Sequence, residues 1–198
     1  MKLIIASNNK HKLIEIKEIL GDCFSSIQSM AEAGINHETI EDGNTFYENA
    51  LKKAKEIAEI SGCCALADDS GICADALDGK PGIYSARFCG HHGDDQANND
   101  LLLELLKDKD NKKANYTCAI VLVTPDGKIY SAEEYMYGEI TENAAGENGF
   151  GYDPIFYLPE FKKTAAEITP EQKNSISHRG KALRKLLEIL KQDSSFNM

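Results

Sequence analysis

The chain has 198 residues, 42% hydrophobic and 27% charged, with 22 basic against 32 acidic residues and a formal net charge of −10. That length buries a real core in one domain of ordinary globular composition. With no basic stripe, nucleic acid backbones are excluded as partners, and an anionic small molecule needs a local basic pocket or a metal ion. The opening "MKLIIASNNK" has an apolar run of four residues, too short for a signal-peptide core. No stretch approaches the roughly 18 apolar residues of a membrane span, so a cytoplasmic chain without a membrane partner is expected. The cysteines at 23, 63, 64, 73, 89 and 118 form no CxxC pair and read as reduced, structural thiols.

In chain order, "KLIIAS" predicts a short buried strand and "NNKHK" a polar turn. Leu13, Ile14, Ile16, Ile19 and Leu20 then give a helix its apolar face, ended by Gly21. Thr45 with Glu48 three positions on is a capping box for a second helix. Phe46, Ala50, Ala54, Ile57 and Ala58 follow at helical spacing, and Gly62 stops it. "CCAL" runs into "ADDSG", which places Asp68 and Asp69 at the end of a buried strand. A leucine-rich helix covers about 96 to 107, and "PDG" joins two strands as a hairpin. The last helix spans about 179 to 191, with Leu183, Leu186, Leu187 and Leu190 on one stripe, and the tail from about 193 is expected to fray. Strands alternating with helices and then a hairpin indicate an α/β fold with a mixed sheet, one domain over 1–198.

Five polar clusters lie between these elements, where α/β folds build their sites. "SNNKHK" follows a strand and opens a helix, so Ser7, Asn8, Asn9 and the helical amides can cradle phosphate oxygens, with charge from Lys10 and Lys12. It lacks the Walker pattern, and a plain strand–helix turn fits as well. Carboxylates gathered in "ADDSG" are hard oxygen ligands of the kind Mg²⁺ takes in small number, with Glu41 and Glu15 as companions. Adjacent like charges require a cation, and a bound metal ion supplies one. Alternatively Asp69 orients and deprotonates an attacking water. An acidic turn without chemistry accounts for the same letters. In "GENGFGYDP", Gly149 and Gly151 bracket Phe150, a ring that a base can stack on or that folds inward. "SHRGKA" sets His178 and Arg179 at a helix start, where cations oppose the helix dipole, a broken local rule that marks function.

In this order the clusters resemble the inosine triphosphate pyrophosphatase family, which clears non-standard purine nucleoside triphosphates. The resemblance rests on "ASNNKHKLIEI", "TFYENALKKA", "ADDSGICADALDGKPGIYSARFCG", "GFGYDPIF" and "SHRGKAL", and spans nearly the whole chain. It implies an elongated mixed sheet flanked by helices, two lobes around a substrate cleft, and a homodimer. It implies Asp69 as general base, Glu41 and Asp69 at Mg²⁺ (Mn²⁺ as a substitute), and Ser70 as a substrate contact. Ser7, Asn8, Asn9, Lys10, His11 and Lys12 resemble the triphosphate cradle, with Lys53 taking further charge. Phe150, Gly151, Tyr152 and Asp153 resemble the base-holding loop, completed by Lys173, His178 and Arg179. The chain departs from many relatives with Lys10-His11 in place of Pro-Gly. Asp42 beside Glu41 leaves open which acid meets the metal. Two other readings use the same residues: an aspartyl-nucleophile phosphatase, disfavoured because Ser70 and Gly71 stand where it wants an acid, and a purine-nucleotide binding module without turnover.

Overall fold

The computed structural model describes residues 1–194 and 196. Seven strands form one sheet in the order β2-β1-β3-β4-β5-β6-β7, from β1 (Lys2–Ile5), β2 (Ser26–Ser29), β3 (Cys64–Ala74), β4 (Lys113–Val123), β5 (Ile129–Ile140), β6 (Phe156–Leu158) and β7 (Lys163–Thr164). The sheet is mixed: β1 lies parallel to β2 and β3, whereas β6 lies antiparallel to β5 and β7. The helices are α1 (Lys10–Leu20), α2 (Phe46–Ser61), α3 (Asp95–Leu106), α4 (Pro170–Ile176) and α5 (His178–Gln192).

The chain divides into two compact units. The first comprises residues 1–69, 118–134 and 179–198. Its strands carry alternating apolar residues that serve opposite faces of the sheet. On one face Leu3, Ile5, Cys64, Leu66 and Ile120 pack with Ile16 and Leu20 of α1 and Leu183, Leu186 and Leu190 of α5. On the other, Ile4, Ala65, Ala67 and Val121 pack with Ala50, Ala54 and Ile57 of α2. The second unit comprises residues 70–117 and 135–178. Ile72, Tyr116, Met136 and Phe156 pack there with Leu102 and Leu106 of α3.

Local sequence explains the elements. Thr45 Oγ1 accepts from the Glu48 N–H, and Gly62 closes α2 at φ 61°. The reciprocal half of the expected capping box is displaced by one residue, because Glu48 takes the N–H of Asn44 rather than of Thr45. Asp94 caps α3 through the Ala97 N–H. The short strands β2, β6 and β7 and helix α4 have no counterpart in the sequence reading. Helix α4 carries a full capping box, Thr169 with Gln172, and Pro170 at its first position.

One expectation is corrected. The strand bearing "ADDSG" does not end there: β3 runs on to Ala74, so Asp68 and Asp69 lie in mid-strand, 2% and 8% exposed. Near the C-terminus Asp193 accepts from Tyr130 Oη at 2.7 Å, and the Phe196 ring packs edge-on to Phe24 and Tyr130. Ser195, Asn197 and Met198 lie outside the described residues.

Candidate active site

In the first unit, β1 ends at Ile5 and the following turn runs past β3, with the Ala6 N–H bonded to the Leu66 carbonyl. Ser7 Oγ accepts from the Asn9 N–H, and Asn9 Oδ1 accepts from the Lys12 N–H at the start of α1. Asn8 Oδ1 accepts from the Ala31 N–H, so that side chain braces the turn. Asn8, Asn9 and Lys10 are exposed. The side chain of His11 lies outside the described residues.

Alternation along β3 sends Asp68 and Asp69 to opposite faces of the sheet. Asp68 points to the face of α1 and α5. Its Oδ2 meets Lys12 Nζ at 2.9 Å and Arg179 Nε at 3.0 Å. Arg179 Nη1 also donates to Glu15 Oε2 at 3.1 Å. Burial alone would raise the Asp68 carboxyl, but Lys12, Arg179 and Lys53 outweigh it and hold it far below the usual carboxylate range. The same carboxylates keep the buried Arg179 guanidinium charged despite its desolvation.

Asp69 points to the face of α2. Asn49 Nδ2 donates to its Oδ2 at 3.0 Å, and Lys53 Nζ stands 3.7 Å from its Oδ1. The same ammonium holds Glu41 Oε1 at 2.6 Å. Asp42 turns outward to Lys52 at 2.7 Å, so the geometry puts Glu41 and not Asp42 on the lysine that reaches Asp69. Burial raises the Asp69 carboxyl, Lys53 pulls it down, Glu41 pushes it up, and it settles above the ordinary value. Lys53, desolvated yet flanked by Asp69, Glu41 and Asp68, is held above its ordinary value.

Adjacent carboxylates call for a cation, and Asp68 has two of the chain's own, Lys12 and Arg179. The broken dipole rule at the start of α5 has the same explanation, since Arg179 is committed to Asp68 and Glu15 rather than to solvent. Glu15 is bonded to Arg179.

In the second unit, Asp153 organises the glycine-rich loop. Its Oδ2 accepts from the Phe150 N–H at 2.8 Å and from Lys173 Nζ, and its Oδ1 from Tyr116 Oη at 3.3 Å. Gly149 sits at φ 79°, and a Cβ there would fall 2.1 Å from Asp153 Oδ2, so only glycine fits. Asp95 Oδ2 takes the Gly151 N–H and Asn99 Nδ2 donates to the Gly151 carbonyl. Lys173 Nζ lies 4.8 Å from the Phe150 ring centroid, and the His178 ring stacks on Tyr116 at 4.8 Å and 7°. Tyr152 is buried and donates its hydroxyl to the Ser85 carbonyl. Ser70 is half-buried on β3.

Residues 3–189 match the model of the Ham1 family. The chain belongs to the Ham1 family.

As a Ham1 chain it is 53% identical to the dITP/XTP pyrophosphatase of Clostridium perfringens, over 96% of this chain and 97% of that one. It is 52% identical to the protein of the same name from Desulforamulus reducens, over 96% of each. Among solved structures, the Ham1 protein of Staphylococcus aureus superimposes with a TM-score of 0.88 at 39% identity, over 96% of this chain and 98% of that one. The HAM1 protein of Coxiella burnetii superimposes with a TM-score of 0.90 at 38% identity, over 98% and 100%. Among the described residues, no helix is long and apolar enough to cross a membrane.

The sequence reading assigned no role to Asn49, Asp95, Asn99 or Tyr116 of this Ham1 chain, although each bonds directly to a residue it did single out. Asn49 lay within a quoted motif, "TFYENALKKA", and a buried amide on the apolar face of an amphipathic helix was the available signal. Asp95, Asn99 and Tyr116 reach the glycine-rich loop from more than 30 residues away, and no spacing rule connects them.

Proposed function

We propose that this chain hydrolyses non-standard purine nucleoside triphosphates, ITP or dITP and XTP, to the nucleoside monophosphate and pyrophosphate. The observation that carries the reading is a buried carboxylate, Asp69, gripped by an amide and a lysine and raised above the ordinary aspartate range. Relatives 44–53% identical over 82–97% of their length bear the name dITP/XTP pyrophosphatase, which supports the substrate class.

Asp69 takes a proton from the water that attacks the α-phosphorus, and pyrophosphate leaves. Lys12, Lys53 and the amides following Ser7 neutralise the charge that builds on the phosphate oxygens. Glu41 and Asp69 fit a divalent cation, because they already converge on a single ammonium, that of Lys53. Two carboxylates suffice for Mg²⁺ when phosphates and waters complete its shell. A divalent ion held by Glu41 and Asp69 would supply Lewis-acid stabilisation of phosphate oxyanions. Phe150 offers the base a ring to lie against, and Lys173 and His178 offer donors to its six-oxo group. Arg179, committed to Asp68 and Glu15, acts on the phosphate side by holding Asp68. From the resemblance we carry over a cytoplasmic homodimer, and light scattering tests the oligomeric state.

The deciding experiment is product analysis on ITP, XTP, dITP, GTP and ATP with Mg²⁺. Monophosphate and pyrophosphate in equal amounts, with ITP and XTP preferred, are expected. Stepwise orthophosphate favours the aspartyl-phosphatase reading, and tight binding without products favours the binding module.

A further inference from the structure

We propose that Asn49 is a positioning residue, which holds the Asp69 carboxylate in its working orientation and ties it to the loop that carries Glu41. The inference rests on the reading of Asp69 as the group that acts on substrate, and it assigns Asn49 no contact with substrate.

Asn49 lies in the first turn of α2 and is fully buried, with its own N–H bonded to the Thr45 carbonyl. A buried amide must satisfy both ends. Its Oδ1 accepts from the Gly43 N–H at 2.9 Å and its Nδ2 donates to Asp69 Oδ2 at 3.0 Å. A backbone N–H only donates, so the amide oxygen must face the loop and the NH₂ must face the carboxylate. Lys53 follows four residues on, one helical turn along the same face, and stands 3.7 Å from the other oxygen of Asp69. One helix therefore meets both oxygens of Asp69, one through the Asn49 hydrogen bond and the other through the Lys53 charge, and the amide bond is the directional one that orients the carboxylate.

The loop is seated on the same amide. A Cβ at Gly43 would fall 2.7 Å from Asn49 Oδ1 and 2.8 Å from the Glu48 Cβ, so glycine is required there by proximity. Two residues earlier Glu41 reaches Lys53 at 2.6 Å. Glu41, Lys53, Asn49, Gly43 and Asp69 thus form a continuous set of contacts in which the amide is the piece that joins loop to strand. An isosteric carboxylate would still take the Gly43 N–H but set an oxygen against Asp69, and alanine would serve neither side.

The test combines kinetics on ITP with a crystal structure of the substrate-free variant. Asn49→Ala and Asn49→Asp should each lower kcat about 10- to 100-fold, the scale of a misplaced reacting group, with KM little changed. Gly43→Ala, which leaves both side chains in place and crowds the amide, should lower kcat in the same way, and it carries the test if the Asn49 variants do not fold. In an Asp69→Asn background Asn49→Ala should cost nothing further, whereas a merely structural amide would cost the same in both backgrounds. Native kcat in folded Asn49→Ala, or additive losses, overturns the inference. Should Asp69→Asn alone keep native turnover, the assignment of Asp69 as the base fails and the crystal structure decides separately. A carboxylate rotated away from Lys53 in Asn49→Ala supports the positioning role, and one that keeps its orientation overturns it.

Discussion

Asp68 and Asp69 are neighbours in the chain but belong to opposite faces of β3, Asp68 bonded to Lys12 and Arg179 and Asp69 to Asn49. Each carboxylate has its own bonded partners, while Lys53 acts on the charge of both. Asp68 holds two cations and is kept ionised, while Asp69 is held above its ordinary value.

Asp69→Asn keeps size and shape and removes the carboxylate proposed as the base. Turnover of ITP should fall by about two or more orders of magnitude, the scale of general-base loss, while the thermal melt stays near native. Steady-state kinetics beside a melting curve checks both halves, and near-native turnover would sink the assignment.

Asp68 makes stability depend on pH. Its folded pKa lies below the unfolded value of about 3.9, so the folded state binds fewer protons than the unfolded one. The stabilisation is full above the unfolded value and is lost as pH falls through it toward the folded one. Melting temperature should drop between about pH 5 and pH 2. Asp68→Asn should flatten that drop, and equal acid sensitivity in both proteins would remove Asp68 as its source.

Arg179→Ala leaves the Asp68 carboxylate buried with one of its two cations gone. Breaking a buried pair in this way costs about 3–5 kcal/mol, so a large fall in denaturation midpoint is expected. Loss of base selectivity without loss of stability would return Arg179 to the base pocket.

Lys53→Met should leave Glu41 and Asp69 without their shared cation. The variant should melt below native, and Mg²⁺ should raise its melting temperature more than that of the native chain, since an ion that binds only the folded state stabilises it. Native protein in excess EDTA should keep its fold and lose its turnover, with Mg²⁺ or Mn²⁺ restoring it. Full activity in EDTA means that the two acids serve another purpose.

Base preference follows from donor polarity. Hypoxanthine and xanthine present an oxygen at position six, where adenine presents an amino group. In the proposed base pocket, donors at Lys173 and His178 meet an acceptor in the first and another donor in the second, a difference of about 1–3 kcal/mol each. ITP and XTP should be turned over well above ATP, and Lys173→Met should narrow the gap in kcat/KM. Equal kcat/KM for ITP and ATP in the native chain overturns the substrate class while leaving the pyrophosphatase chemistry standing.

Local rules made much of this molecule legible from its letters. The apolar stripes of α1, α2 and α5, the cap at Thr45, the stop at Gly62 and the hairpin around Pro125, Asp126 and Gly127 all depend on contacts a few residues apart, where spacing and geometry are nearly the same thing. The polar clusters were visible for the same reason, as runs of chemistry between periodic segments. Helix α4 was missed despite its capping box, because seven residues without an apolar stripe leave no period to detect. What "ADDSG" and "SHRG" mean to each other was decided by tertiary structure alone. Arg179 and Asp68 are 111 residues apart, and their bond depends on the register of β3 and the docking of α5 on one face of the sheet. The same holds for Asn49 and Asp69, 20 residues apart on a helix and a strand. Which face a strand residue takes, and which helix covers that face, is settled by burial of the whole apolar pattern. A charge that rides on that pattern finds its partner only when the core has formed.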